Sequence, residues 1–439
     1  MPLARAHLLL LIACAARTLP AAADPLVFVE AHFHADNSFD GLQGAAVAAV
    51  SPDGANVYVA GKADDAVSEW SRDGSTGALT YLGRALCADP VCADPTKGTV
   101  PNFDRPEALA LSPGGEQLYV GVGNSHALVI LSRDSEGGLS YAGSILDGAD
   151  GASVQRVLSI AVSPDGEFVY AGDFCVSCAG AVTVFSRDAS TGLLSHVQTV
   201  TGPNHVHGIA LSPGAEHLYV TSHTDNSITV YARDAGTGML SFVEMQQQGV
   251  GGVDGLVDPY QPAVSPDGLQ LYVASYGNSP QPGAVAVFAR DPSTGRLAFV
   301  TSHSDSELGL TNVDDLSVAP DGTRVYVIAQ GELAVYDGKL AVLSRDPATG
   351  ALARLATLAD GTNGVIGLKG ALGVATSPDS QNVYVASEQA VPPMPAQTQH
   401  GAVAVFQAPE PESSTMALAV LAVLAQLSAS QSRGRRNTS

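Results

Sequence analysis

The sequence has little basic charge. Lys and Arg number 21 against 43 Asp and Glu, which gives a formal net charge of −22 and a pI near 4.6. A protein that binds DNA or RNA needs a basic face, and so large an acidic excess repels a phosphate backbone. We therefore exclude nucleic acid as a partner.

Long apolar runs are also lacking. The apolar runs near the two ends, residues 8–16 and 415–427, are shorter than the ~20 residues of a membrane-spanning helix. We therefore expect contact with a membrane only transiently, during export, through the C-terminal tail.

Turn-forming residues, by contrast, are abundant. The 46 glycines and 26 prolines, with only 15% charged residues, suit short strands and tight turns better than helices. Composition therefore predicts an all-β chain. A length of 439 residues ordinarily indicates two or three domains, but internal repeats override that expectation.

A motif of the type SPDG...VYV occurs seven times, at intervals of 49 to 61 residues. Its first residues are Ser51, Ser112, Ser163, Ser212, Ser265, Ala319 and Ser377. Seven residues later stand Tyr58, Tyr119, Tyr170, Tyr219, Tyr272, Tyr326 and Tyr384. Each unit contains four short β segments separated by turns, which is the size and content of one propeller blade.

A second motif, RDxxTG or a shortened form of it, occurs only six times. The SPDG turn suits a hairpin between strands one and two of a blade, and RDxxTG one between strands three and four. The seventh unit ends at GAVAVFQAPE, residues 401–410, without a fourth strand, whereas LVFVEAHF, residues 26–33, has the fourth-strand pattern. We predict a seven-bladed β-propeller whose ring is closed by the N-terminal strand, which removes exposed edges.

The tandem pattern VAVSPDG...VYVA...AVAVFSRD...TGALT resembles the seven-bladed lactonase-like propellers, the family related to bacterial 6-phosphogluconolactonase. The resemblance covers nearly all of residues 26–407. It implies the propeller fold and, as an activity, hydrolysis of a lactone. Members of the family often carry Pro-His before an inner strand, and VHGIALSP places His207 there, with Val206 in place of the proline.

The loops that lead into the inner strands are the candidate site, because both turn motifs belong to the opposite end of the ring. Five residues before the SPDG-type turns stand Ala46, Glu107, Leu158, His207, Tyr260, Asp314 and Leu372. Seven residues before them stand Gly44, Arg105, Arg156, His205, Asp258, Asn312 and Gly370. The polar members fall in blades two to six, and we predict that they surround the central channel.

These residues suit attack of water on a lactone or ester. The predicted catalytic residues are His207, Glu107 and Asp314, with His207 as the base. The predicted substrate-binding residues are Arg105, Arg156, His205, Asp258 and Tyr260, the two arginines forming a site for an anion. In the alternative interpretation, the charged groups pair with one another as structural ion pairs.

No metal and no cofactor is predicted. The segment DNSFDG, residues 36–41, offers oxygen ligands at alternate positions like the start of a calcium loop, but Val47 stands where a bidentate Glu should close it. An Asp-Gly turn is the favoured interpretation.

The cysteines outside the leading segment are Cys87, Cys92, Cys175 and Cys178. An exported compartment favours disulfides, so we predict two local bridges, Cys87 with Cys92 and Cys175 with Cys178. A zinc site built from all four is the alternative, although the two pairs lie in loops of different blades.

The N-terminal segment has the features of a signal peptide. Arg5 precedes an apolar run, and small residues at positions 21–23 form a cleavage site before Asp24. Alternatively, residues 11–14 form a lipobox that would place a lipid on Cys14.

The C-terminal segment resembles the PEP-CTERM sorting signal, which exosortases process. Its proline motif, residues 409–411, precedes the apolar run and then Arg433, Arg435 and Arg436. A retained positive cluster halts such a segment during export.

The sequence thus predicts a signal peptide at residues 1–23, a seven-bladed propeller at 24–407 and a sorting tail at 408–439. We expect an exported monomer in the periplasm or at the cell surface, with an exosortase-type processing enzyme as a partner. Two functions are compatible with the residues. One is hydrolysis of a small-molecule lactone or ester in a polar central funnel, and the other is non-catalytic binding of a protein, a polysaccharide or a small surface ligand.

Overall fold

The computed structural model of the protein is a ring of seven four-stranded antiparallel sheets. The structure describes residues 26–34, 39–86, 100–175, 179–278, 280–331, 337–388 and 401–408. The prediction of an all-β, seven-bladed propeller is confirmed. The predicted signal peptide and the predicted sorting tail lie outside the described residues, apart from Ala408. Among the described residues, no helix has the length and apolar character that crossing a bilayer requires.

The strands follow one another from the inner to the outer side of each blade. Blade 1 contains β2 (Ala45–Val50), β3 (Asn56–Gly61), β4 (Ala66–Arg72) and β5 (Leu79–Leu86). Blade 2 contains β6 (Pro106–Leu111), β7 (Gln117–Val122), β8 (Ala127–Arg133) and β9 (Leu139–Leu146). Blade 3 contains β10 (Val157–Val162), β11 (Phe168–Asp173), β12 (Ala181–Arg187) and β13 (Leu194–Thr201). Blade 4 contains β14 (Val206–Leu211), β15 (His217–Ser222), β16 (Ser227–Arg233) and β17 (Leu240–Gln247).

Blade 5 contains β18 (Pro259–Val264), β19 (Gln270–Ser275), β20 (Ala284–Arg290) and β21 (Leu297–Ser304). Blade 6 contains β22 (Val313–Val318), β23 (Arg324–Ala329), β24 (Lys339–Arg345) and β25 (Leu352–Ala359). Blade 7 contains β26 (Ala371–Thr376), β27 (Asn382–Ser387), β28 (Ala402–Gln407) and, as its outer strand, β1 (Val27–Phe33). The helical segments among the described residues are one turn of 3₁₀-helix, Ala149–Gly151, and the short helix α1 (Asp305–Leu308).

The hydrophobic core lies between the blades. Each major cluster of buried side chains draws on two neighbouring blades, as where Tyr58 of blade 1 packs with Leu118 of blade 2. Trp70 of blade 1 packs in the same way with Tyr384 of blade 7. Because every blade is covered on both faces, the second strands read as continuous apolar runs rather than as alternating ones.

The outer strand of blade 7 comes from the other end of the chain. β1 pairs antiparallel with β28, from Val27 opposite Gln407 to Phe33 opposite Ala402. Glu30 Oε1 accepts the backbone N–H of Leu79 at 2.7 Å. Glu244 does the same for Leu297 between blades 4 and 5, so β1 takes part in contacts between blades as an ordinary fourth strand does.

The RDxxTG turns fasten each blade to the one before it. The arginine Nε donates to the hydroxyl of the preceding blade's repeat tyrosine, for example Arg133 to Tyr58 at 2.9 Å. That hydroxyl donates in turn to the glycine carbonyl of the same turn, here Gly137. The other five pairs are Arg72 with Tyr384, Arg187 with Tyr119, Arg233 with Tyr170, Arg290 with Tyr219, and Arg345 with Tyr272.

Blade 6 is the exception to this arrangement. Blade 7 has no RDxxTG turn, and among the described residues no turn arginine donates to the buried Tyr326 hydroxyl. Burial raises the pKa of Tyr326, and the charge of Arg324, two residues earlier on the same strand, opposes that rise. In blade 6 the repeat tyrosine, Tyr326, therefore lies near an arginine of its own strand, Arg324. Blade 7 supplies no turn arginine to it.

Candidate active site in the central cavity

The first strands of all seven blades surround a cavity of about 420 Å³ at the end of the ring opposite the repeat turns. Every residue counted five positions before an SPDG-type turn lines it. We call this set the inner ring: Ala46, Glu107, Leu158, His207, Tyr260, Asp314 and Leu372. Counting back from the SPDG-type turns therefore identifies residues that line the cavity.

A bulge in each first strand aims the inner ring into the cavity. The ladder between strands one and two slips at the same place in every blade, for example between Val313 and Asp315 of β22. A bulge sets two residues opposite one and turns their side chains away from regular alternation. Neighbours of the inner ring, including Ser159, Gln261 and Asp315, therefore line the cavity as well.

The residues two positions before the inner ring have a mainly structural role, through their backbone conformation and backbone hydrogen bonds. Arg105, His205 and Asp258 adopt left-handed φ angles of 69°, 52° and 56°. Their carbonyls accept the N–H of the residue that follows the second strand, as Asp258 does from Tyr276. These three residues, predicted to bind substrate, do not line the cavity. Arg156 does line it, and its backbone is not left-handed.

A second polar set follows the second strands, four residues after each repeat tyrosine. Its cavity-lining members are Lys62, Tyr276, Gln330 and Glu388. The sequence analysis missed them, although their constant spacing from the tyrosine is visible in the repeat. Lys62 Nζ forms a salt bridge of 3.0 Å with Glu388, which joins blade 1 to blade 7.

Glu107 lies between two guanidinium groups. Arg156 donates Nε and Nη2 to its two oxygens, both at 2.7 Å, and Arg105 donates Nε at 2.8 Å. Burial alone raises the pKa of Glu107, but the hydrogen bonds and charges of both arginines outweigh it, so the pKa lies below its usual range. A carboxylate held ionised in this way orients the arginines and is poorly suited to the acid–base role predicted for it.

His207 lies in a stack of rings on one wall of the cavity. Its ring is 3.8 Å from that of Tyr260, with 11° between the planes, and Tyr276 also stacks on Tyr260, at 5.3 Å. Burial, followed by the charges of His223 and Arg156, lowers the pKa of His207 to about 3. A base this weak does not meet the requirement for a pKa near neutrality on which its predicted role rested.

Tyr260 is a candidate hydrogen-bond donor to a ligand. Burial raises the pKa of Tyr260, so the hydroxyl keeps its proton. Among the described residues this hydroxyl has no hydrogen-bond partner, whereas Tyr276 donates to Gln330 Oε1 at 3.2 Å.

Two adjacent carboxyl groups of blade 6 face the cavity. Burial, followed by the charge of Asp315, raises the pKa of Asp314 well above its usual value. Burial also raises the pKa of Asp315, to about 7. The cavity therefore holds an acid that keeps its proton and a carboxyl that titrates near neutrality.

The residues of the calcium-like segment remain only partly described. Asp36 lies outside the described residues. Asp40, at the end of the segment, approaches His34 and Asp64, but it also forms an ion pair with Arg84. Arg84 pairs with Oδ2 of Asp40, whereas Oδ1 is the oxygen nearer His34, so the choice of a turn over a metal site stays a prediction.

Both predicted disulfides stay predictions. Cys175 is buried, and Cys87, Cys92 and Cys178 lie outside the described residues.

Comparison with known proteins supports the architecture. A family model described as Lactonase, 7-bladed beta-propeller, matches residues 148–257 and 197–311, which together are less than half of the chain. No curated protein matches the chain.

Several solved structures share the fold. A putative 6-phosphogluconolactonase from Bacteroides uniformis is 17% identical with a TM-score of 0.56, over 71% of this chain and 84% of that one. The periplasmic gluconolactonase of Pseudomonas aeruginosa is 21% identical with a TM-score of 0.55, over 71% and 85%. Hydrazine synthase of Kuenenia stuttgartiensis is 17% identical with a TM-score of 0.57, over 81% and 96%.

The fold is that of a seven-bladed β-propeller, and residues 148–311 are similar to the lactonase propellers. The spread of activities among these structures agrees with the rule that a propeller does not by itself specify a reaction.

Proposed function

We propose that the protein hydrolyses a lactone or ester of a small anionic molecule in the central cavity. The observation that carries the proposal is the convergence of polar inner-ring residues from four blades on one cavity: Glu107, His207, Tyr260 and Asp314. Polar groups that converge in a concave site, with perturbed pKa values, are the usual sign of a reactive centre.

The charge around the cavity favours an anionic substrate. Arg156 and Lys62 line it from different blades, and Arg105 pairs with the same Glu107 as Arg156 does. Glu107 and Glu388 offset two of these three cations, and Asp314 keeps its proton. Arg156 and Lys62 thus place cationic groups against the cavity in a chain whose net charge is −22. This contrast would select an anion and hold it in place.

Arg156, Tyr260 and His207 each contact a different group of the substrate in this proposal. Arg156, fixed by Glu107, presents its remaining donors to a carboxylate or phosphate group of the substrate. Tyr260 donates its hydroxyl to the carbonyl oxygen, on which negative charge develops as water attacks. His207, neutral and stacked on Tyr260, accepts a hydrogen bond from a substrate hydroxyl.

We expect the mature protein to hydrolyse members of a panel of anionic and sugar lactones near neutral pH. Arg156→Ala should raise KM more than it lowers kcat, because a guanidinium that only orients the substrate acts mainly on binding. His207→Ala should also raise KM. The measurement is initial rate against a buffer blank, since lactones hydrolyse spontaneously at raised pH.

Arg296→Ala is the matched control for this experiment. Arg296 is 59% exposed and pairs with Glu244 on an outer strand, so its loss should leave KM unchanged. Absence of turnover above the blank across the panel would overturn the hydrolase proposal.

A second candidate function is binding without catalysis. It is favoured by the mutual pairing of Arg105, Arg156 and Glu107, which is the arrangement of a structural ion-pair cluster. Anions that raise the melting temperature of the protein without being hydrolysed would establish this alternative.

We also propose that the protein is exported and sorted to the cell envelope. The support is the residue pattern at the two ends, and a protein of similar fold from Pseudomonas aeruginosa is described as periplasmic. Protein recovered from a native envelope should have lost both the leading segment and the tail, as measured by intact mass. Mature protein that retains residues 433–439 would contradict sorting by an exosortase.

A further inference from the structure

Blade 6 differs from the other blades at the bulge of its first strand. The two residues there are Asp314 and Asp315, and both line the cavity. At the same register the other blades carry Ala46-Val47, Glu107-Ala108, Leu158-Ser159, His207-Gly208, Tyr260-Gln261 and Leu372-Gly373. Among the cavity-lining residues that the structure describes, only those of blade 6 include two ionisable groups at adjacent positions.

Asp315 is held in a fixed orientation. Its Oδ2 accepts the N–H of Val374 in the first strand of blade 7 at 2.8 Å, and its Oδ1 accepts the N–H of Leu316 at 2.7 Å. Each carboxylate oxygen keeps a second lone pair for a water molecule. In blade 3, Ser159 makes the corresponding bond to Ile209 of blade 4.

The carboxyl group of Asp314 is less constrained by hydrogen bonds than that of Asp315. It is 9% exposed, and among the described residues its carboxyl group has no hydrogen-bond partner. Among the neighbouring charges that act on it most, those of Asp315, Glu388 and Asp258 favour its protonated form, and that of Lys62 favours its ionised form. Its proton is therefore retained and available to the cavity.

We propose that Asp315 is the general base and Asp314 the general acid of the hydrolysis. The inference rests on the proposed function and replaces His207 and Glu107 in the acid–base role. Two carboxyl groups in one site, kept in different protonation states by their surroundings, are suited to opposite halves of a proton transfer.

The proposed steps balance. Asp315 takes one proton from water as the water oxygen bonds to the carbonyl carbon, and the carbonyl oxygen becomes an oxyanion. The ring C–O bond of the lactone then breaks, and Asp314 gives its proton to the departing alkoxide. A hydroxy acid results, and transfer of the proton from Asp315 to Asp314 restores the starting state.

The test combines two substitutions with two kinds of substrate, in the mature protein. Asp315→Ser keeps an oxygen for the Val374 N–H, as Ser159 does in blade 3, but removes the titrating group. It should lower kcat by ~10²–10⁴-fold, the usual contribution of general acid–base catalysis. Wild-type kcat/KM should fall as the pH drops through about 7, because Asp315 must be ionised to act, and this acidic limb should vanish in the variant.

Asp314→Asn should show a leaving-group dependence. An alkyl lactone needs its alkoxide protonated and should lose ~10²–10⁴-fold in kcat. A nitrophenyl ester leaves as a stable anion and should lose far less. Melting curves of both variants check that the ring is intact.

Each outcome decides a separate point. Turnover that survives Asp315→Ser with its acidic limb in place would overturn the base and leave the hydrolase proposal standing. Equal loss on both substrates in Asp314→Asn would overturn the acid. Absence of turnover in the wild-type protein would overturn the hydrolase proposal, and the acid–base pair with it.

Discussion

Deletion of residues 26–33 is expected to abolish cooperative folding of the ring. It removes β1 and the buried side chains of Leu26 and Phe33, and it leaves β28 as an open edge. Burial of each large apolar side chain contributes roughly 1.5–3 kcal/mol, so the loss exceeds that of a typical single substitution, about 1 kcal/mol. Thermal melting by circular dichroism and size-exclusion chromatography would measure it.

Val27→Ala is the control for this deletion, since Val27 lies on the same strand but is 54% exposed. It should melt close to wild type. A synthetic peptide of residues 26–34, added in trans, should restore part of the lost stability. If the truncated protein melts within about 2 °C of the intact one, the contribution of β1 to the ring is not what its contacts indicate.

Substitution Glu107→Gln is expected to destabilise the protein and to loosen the anion site together. It leaves two guanidinium groups around a neutral side chain that is 5% exposed in the wild type. Breaking a fully buried ion pair costs ~3–5 kcal/mol, and we expect about 2 kcal/mol here because both arginines reach solvent. KM should rise as Arg156 loses its fixed orientation.

The pH dependence separates this ion-pair effect from a packing effect. The pKa of Glu107 is lower in the folded protein, so its stabilising contribution is present above the usual carboxyl pKa and is lost as the pH falls through the folded value. Denaturant unfolding of wild type and Glu107→Gln should therefore differ most near neutrality and converge in acid. A difference that stays constant down to pH ~3, below the usual glutamate pKa of ~4.3, would point to packing instead.

The sequence predicted the blades because their turns depend on local chemistry. Pro and Gly set φ angles wherever they occur, and a motif repeated seven times fixes the blade number without tertiary information. The inner ring followed from the same register, since equivalent residues of equivalent blades must lie at one level.

The failures have a common physical cause, which is that side-chain direction and burial are set by contacts with residues distant in the sequence. In a regular strand Asp315 would face away from Asp314, and the bulge that brings both to the cavity leaves no mark in the repeat. The low pKa of His207 likewise depends on its burial near Arg156 and His223, from other strands. The sequence analysis identified Arg105 and Asp258 as polar candidates for the site. It did not predict that both adopt a left-handed backbone conformation.

The pairing of β1 with β28 also sets an order of events during biosynthesis. The first strand to emerge is the one whose partner emerges last, and at ~5–20 residues per second nearly the whole propeller takes about 20–80 s to be made. Throughout that time β1 must avoid pairing with other nascent strands. It carries Glu30 and His32, and polar side chains of this kind discourage intermolecular pairing of an open edge. The yield of closed ring thus depends on two competing rates. One is the rate at which residues 402–407 become available to pair with β1, and the other is the rate at which β1 pairs with another chain.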